Sequence, residues 1–317
     1  MGKNRKRVKN IFHLLRDALK ELKANDPLRL AAATAFFTTF ALPPILIIVV
    51  QVFGLLFNME NMSEQFFERI ASILGTESSS TIKRTFLGFK SKAQNWWITI
   101  GGFVFLMFVA TTLFRVIKDS LNQLWHIKLE NKLGVKANLE KRGIGMVVIL
   151  LAGMLFLAGT MAEGLQALLG NYIDAFSPRT SSILNNILGK VISVLIVTIW
   201  FAVLFKLLPD ANPSWRVVFV GGFFTGILFS IGKIVIPKLL PFGELTSIFG
   251  TSSSIVLLLL FVFYSSLILY YGACFTKVYA DFIGEPIQAG VHAYLYNAQK
   301  VPGQNEEKPS TDEGLAG

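Results

Sequence analysis

Two ionisable residues of this chain, Glu163 and Lys233, stand inside long apolar stretches. A charge in hydrocarbon is costly, so such residues mark a pathway or a partner by default. Glu163 lies about 19 residues into one stretch and Lys233 about 17 into another. At 1.5 Å per helical residue, these positions have similar depth. The two side chains are therefore expected either to pair or to snorkel separately to the outer interface. A second polar signature is Pro43-Pro44 in the first apolar stretch. Two prolines remove two backbone donors and crowd the preceding turn, which predicts a kink or break. Freed carbonyls at that depth need protein or water partners, as in the broken helices of transporters. Pro43, Pro44, Glu163 and Lys233 thus form a candidate transport pathway, with a kink that only improves packing as the alternative. Arg115, Lys118 and Asp119 cluster at the inner end of the second stretch, followed by Asn122 and Trp125, and Arg216 opens the fifth. These six are read as anchors at the cytoplasmic face.

Enzyme chemistry has little to stand on. No HExxH, GxSxG or Walker loop occurs. His13, His126 and His292 lie in separate segments, and Cys274 is the only cysteine, so an internal disulfide is impossible. No catalytic, cofactor or metal site is expected.

The elements carrying these residues are six apolar stretches: Leu28–Phe57, Ile98–Lys118, Ile144–Leu168, Ile187–Leu208, Arg216–Ile236 and Ser253–Val278. About 20 apolar residues as helix cross about 30 Å of hydrocarbon, and lipid requires the backbone to bond internally. With 16% charged residues, against about 25% in soluble domains, the chain leaves no room for a large soluble domain. Lys and Arg favour the cytoplasmic side of span ends. Placing both termini inside puts 21 of the 30 basic residues there. The Asn58–Trp97 loop is then outside, with Trp96-Trp97 at the interface.

The arm Lys3-Asn4-Arg5-Lys6-Arg7 leads into Val8–Lys23, where Ile11, Leu14, Leu15, Ala18, Leu19 and Leu22 recur at helical spacing. This predicts a basic amphipathic helix on the cytoplasmic leaflet, attracting anionic lipid rather than nucleic acid. Asn25-Asp26-Pro27 breaks it, with Asp26 as N-cap and Pro27 at the first position of the next helix. Leu28–Phe57 is read as a retained span, not a leader. The expected organisation is an arm over 1–27, a six-span membrane domain over 28–284, and a cytoplasmic tail over 285–317, disordered at its Pro-, Glu- and Gly-rich end. Gly222 and Gly226 have a spacing that permits close helix approach.

Several fragments, in order, resemble the YihY/virulence factor BrkB family, formerly labelled ribonuclease BN. They are Ala31-Ala32-Ala33-Thr34-Ala35-Phe36-Phe37 through Leu42-Pro43, Leu121-Asn122-Gln123-Leu124-Trp125, Ser214-Trp215-Arg216 with Gly222 and Gly232-Lys233, Phe249-Gly250-Thr251-Ser252, and Tyr270-Tyr271-Gly272-Ala273. The likeness covers roughly Phe12 to Gly284. It departs at Cys274, where the family often has Glu. The resemblance implies a multi-pass protein of the bacterial inner membrane and a role in lipid or envelope transport.

The expected fold is all-α, a bundle of six membrane helices with an amphipathic N-terminal helix. The expected function is a transporter or flippase-like protein for a lipid or other amphipathic or anionic solute. The alternative is a non-transporting scaffold assisting envelope assembly. A ribonuclease is disfavoured, because no carboxylate or histidine cluster would hold catalytic metals.

Overall fold

The apolar stretches fold as helices in the computed structural model, which describes residues 2–57, 96–129, 178–239, 253–291 and 293–296, with isolated positions at 68, 79–80, 83–84 and between 143 and 159. Among the described residues six helices follow one another: α1 Gly2–Ala24, α2 Pro27–Phe57, α3 Trp96–Leu124, α4 Pro178–Leu207, α5 Trp215–Leu239 and α6 Ser253–Phe282. The described positions between 143 and 159 are helical too, but most of the expected third span, Glu163 included, lies outside the described residues. So do most of the Asn58–Trp97 loop and the tail beyond 296.

Three segments among the described residues are long and apolar enough to cross a bilayer: Gly189–Leu207, Trp215–Val235 and Ile255–Phe282. Only 28–33% of each is buried inside the protein. What they expose is apolar. On α5, Phe219, Phe223, Ile227 and Ile231 form an outward stripe at four-residue spacing, and Val191, Leu195 and Ile199 do the same on α4. Water would penalise such stripes, whereas lipid solvates them. The expected six membrane helices are thus represented by three in the described residues. The described apolar part of α2 is the shorter Pro27–Leu42.

α5 packs between α4 on one side and α6 on the other. Small residues set both distances. Gly221 faces Thr276, and Gly272 faces Thr225, so two Gly-xxx-Thr pairs interlock across the α5–α6 seam. Each threonine bonds its own helix, Thr225 Oγ1 to Gly221 O and Thr276 Oγ1 to Gly272 O, both at 2.7 Å. Their hydroxyls are satisfied without water, and each threonine side chain, its hydroxyl nearest, fills the space that the facing glycine leaves. On the other side Gly222 and Gly226 meet Thr198 and Ala202 of α4. The spacing noted in the sequence therefore marks a real close approach. Aromatic rings extend the seam, with Phe224 stacked on Phe275 at 3.9 Å between centroids.

α6 also carries α2 and α1. Tyr270, fully buried, meets Thr34 of α2 through its hydroxyl. Tyr271 donates to the Leu15 carbonyl of α1 at 3.1 Å. Leu14, Ala18 and Leu22 of α1 are buried, while Phe12 and Leu19 stay exposed. Most of the α1 apolar stripe is spent on protein, because the fully buried Ala18 lets α1 sit directly on α6.

α2 begins at Pro27, as expected, and the Asp26 carbonyl accepts the first helical bond from Leu30 N at 3.2 Å. Asp26 itself has φ 51°, a left-handed turn rather than the extended backbone usual for an N-cap. Helix α2 continues through Pro43-Pro44 to Phe57, so the break expected there is absent. Two lost donors forfeit only two bonds of a 31-residue helix, and lipid favours keeping the rest. The side chains at 43 and 44 lie outside the described residues.

The all-α expectation also missed two short antiparallel ribbons. β1 Ile127–Leu129 pairs with β4 Ala293–Leu295, and β2 Ala211–Asn212 pairs with β3 Gln288–Ala289. Residues 285–291 and 293–296, assigned to a tail, therefore return to close the loop-rich end of the bundle. Gly284 makes the reversal possible. Its φ of 77° is left-handed, and Glu285 N bonds Ala280 O while Gly284 N bonds Asp281 O, ending α6.

Candidate functional site

The polar chemistry of the described residues gathers at this loop-rich end, where α1 joins α2, α3 gives way to β1, and α4 turns into α5. Asp210, in the α4–α5 turn, is the first centre. Its Oδ1 lies 2.9 Å from Lys118 Nζ, and both side chains are only 11% exposed. Its Oδ2 accepts from Asn122 Nδ2 at 2.9 Å, and its backbone N–H donates to Asn122 Oδ1 at 2.9 Å. Its carbonyl accepts from Gly290 N at 2.9 Å. Asp210 thus ties α3 to the returning C-terminal ribbon. Nearby, Lys206 donates to Asn212 Oδ1 and to the Pro213 carbonyl, at 2.9 and 2.7 Å.

The second centre joins α1, α3 and α6. Lys277 Nζ lies 2.7 Å from Glu21 Oε1 and 3.0 Å from His126 Nδ1. His126 Nε2 lies 3.3 Å from the same Glu21 oxygen. An ammonium can only donate, so Nδ1 must accept and Nε2–H must face the carboxylate. The Tyr296 ring covers the imidazole at 5.7 Å. Asp281, one turn on along α6, feels both Lys277 and Glu21. Burial, and then the Lys277 charge, push the His126 pKa below the usual 6.5 against the opposing pull of Glu21. Above pH 6.5 the neutral ring is in place in the fold. As pH falls below 6.5 the unfolded chain takes up a proton that the fold resists, so stability declines. The thermal midpoint of the purified protein is expected to fall between pH 7 and 5, and less steeply in His126→Gln. An equal pH response of the two proteins would refute this role.

The anticipated anchors divide in two. Arg115, Asp119 and Arg216 are exposed. Lys118 is in the Asp210 pair, Asn122 is buried, and Trp125 is 1% exposed with its Nε1–H donating to the Ala273 carbonyl at 3.0 Å. These three hold the bundle end together through contacts within the protein. Lys233 is exposed on α5. Glu163, with which it was expected either to pair or to snorkel separately, lies outside the described residues. Glu21, Asp210 and Lys277, the groups that organise the site, were not singled out in the sequence. The available signals were an acid in the short connection between two apolar helices and a lysine near the end of a span.

Between these elements opens a cleft of about 570 Å³, lined by Asn25, Asp119, Asn122, Gln123, Ile127, Lys128, Leu129, Tyr294 and Tyr296. It lies at the start of α2, about 25 Å by helical rise from Pro43-Pro44. Among the described residues no three His, Cys, Asp or Glu side chains gather as a metal site.

A family model described as Virulence factor BrkB matches residues 18–290. Curated relatives are called UPF0761 membrane protein. One from Saccharophagus degradans is 22% identical over 79% of this chain and 56% of its own length. One from Teredinibacter turnerae is 22% identical over 88% of this chain and 63% of its own. One from Delftia acidovorans is 26% identical over 93% of this chain and 65% of its own. The chain therefore spans less than two thirds of the length of these relatives. No solved structure matches it.

Proposed function

The chain belongs to the virulence factor BrkB family of membrane proteins, and from that premise we propose that it is a transporter or flippase-like protein for a lipid or other amphipathic solute. The observation that supports this is the cleft, which has mixed polar and apolar walls at the end of a lipid-exposed bundle. A cleft of that size suits a small ligand or a headgroup. In this reading the protein spans the bacterial inner membrane six times, and the cleft faces the cytoplasm with both termini. Phe12, Leu19, Arg16, Lys20 and Lys23 on the outer surface of α1 meet anionic lipid. No catalytic step is assigned.

The test uses the full chain in liposomes with a fluorescent phospholipid in both leaflets and a membrane-impermeant quencher outside. Protein-dependent quenching of the inner-leaflet pool is the expected result, and a protected inner pool at high protein density would refute transport. Orientation is tested by cysteine substitution. Ser310→Cys should resist an impermeant thiol reagent in intact cells and react after lysis, while Cys274 stays silent because it is buried. Labelling of position 310 from outside would invert the topology.

A second reading, a non-transporting scaffold, draws support from the tight Gly–Thr interlock of α5 and α6, which favours one arrangement over two.

A further inference from the structure

We propose that His126 is a pH-sensitive hinge, which holds the β1–β4 ribbon against the bundle at neutral pH and releases it on acidification, opening the cleft. The inference deepens the transport reading and rests on it for the cleft being a passage for cargo.

His126 stands where α3 ends and β1 begins, and several connections meet in it. Its carbonyl accepts from Tyr296 N at 3.0 Å, just beyond β4, and its ring lies against the Tyr296 ring. Its imidazole touches Lys277 of α6 and Glu21 of α1. Lys128, Tyr294 and Tyr296 carry the ribbon's side of the cleft. Two short paired strands have little stability of their own, so the position of the ribbon depends on this junction. The backbone of His126 has φ 56°, a left-handed conformation unfavourable for a residue with a side chain. The contacts of the ring hold it there, and their loss lets the backbone relax.

A proton on Nδ1 turns the acceptor into a donor 3.0 Å from the Lys277 ammonium, which has only donors to offer. Two cations then face the single carboxylate of Glu21. Lys277 has the stronger hold on it. Its contact is 2.7 Å against 3.3 Å for the imidazole, and its side chain is 17% exposed against 31%. Lys277 also donates to the Leu124 carbonyl, and Asp281 lies one turn on along α6. The imidazolium is therefore the group that leaves. The Tyr296 ring goes with it, because an aromatic face attracts a cation. Glu21 and Lys277 stay together, so α1 remains docked on α6 in both states. Lys128, exposed on the ribbon, is not among the charges that His126 feels, which are Lys277 and Glu21. Burial and the Lys277 charge set the release below pH 6.5.

Amide hydrogen exchange of the full chain in lipid nanodiscs tests the hinge, with the intrinsic pH dependence of exchange divided out. Between pH 7 and pH 5, peptides carrying β1 and the Tyr296 amide are expected to lose protection by about tenfold or more, while α1 keeps its own. His126→Asn, uncharged and tolerant of a left-handed backbone, should protect the ribbon equally at both pH values. Lys277→Met is the sharper variant. It removes the repelling ammonium and keeps the histidine, so the imidazolium then pairs with Glu21. Its ribbon should be better protected at pH 5 than at pH 7, a reversal of sign that a merely structural lysine would not produce. The wild-type measurement stands even where a variant fails to fold. Equal ribbon protection in wild type at both pH values, or release of α1 together with the ribbon, would overturn the proposal. So would an undiminished acid response in His126→Asn. Ribbon opening with a protected inner lipid pool in liposomes would reject transport and keep the hinge. Quencher access with a ribbon indifferent to pH would do the reverse.

Discussion

Replacing Lys118 with methionine is expected to destabilise the protein by about 3–5 kcal/mol, the usual consequence of removing one partner of a buried ion pair. Asp210 is nearly inaccessible, and without the ammonium its carboxylate loses the cation 2.9 Å from Oδ1 while Oδ2 still accepts from the Asn122 amide. The damage should spread beyond the pair, because the Asp210 backbone holds Asn122 through its N–H and Gly290 through its carbonyl. Asp210→Asn should cost less than Lys118→Met, since a neutral amide can still accept from Asn122 and leaves no buried anion. The double variant should be more stable than the sum of the two losses, the sign of a coupled pair. Thermal unfolding followed by loss of the monodisperse species in detergent reads this out. Additive losses would show that the pair is not energetically coupled.

The second large effect is expected at the helix seam. Gly221→Ala places a methyl within the space of the Thr276 side chain, and overpacking of this kind costs about 1–3 kcal/mol. The obstruction is a side chain, so Thr276→Ala should restore most of the loss. Gly222→Ala meets backbone instead, the Thr198 carbonyl at 2.7 Å and the Ala202 nitrogen at 2.8 Å. No side-chain truncation removes backbone, so no partner substitution on α4 should rescue it. Measured side by side, a rescued Gly221→Ala and an unrescued Gly222→Ala would establish the interlock. Rescue of both, or of neither, would show that the seam is looser than described.

The helices and their membrane character were legible in the sequence. A run of apolar residues and a four-residue stripe are local properties, and lipid leaves the backbone few alternatives to helix. Pro27 at the start of α2 and the Gly222–Gly226 spacing were readable for the same reason, since each is a matter of a few adjacent residues. Pro43-Pro44 was read as a kink or break because local chemistry argues for one, and the helix runs on without a break. Only the chain's own packing decided whether α1 lies on lipid or on α6. Its stripe of Leu14, Ala18 and Leu22 is equally suited to either, and the choice rests on Tyr271 and Lys277, about 256 residues away. The Asp210 and His126 networks have the same character. Lys118, Asp210 and Gly290 carry no common motif, and their meeting follows from where α3, α4 and the returning ribbon end in space. The ribbons themselves were invisible, because strands of two or three residues have no periodicity to detect. The sequence by itself determined the solvent of this protein, a bilayer, through local hydrophobicity. The tertiary structure decided which charges stay together out of water, because that depends on contacts between distant segments.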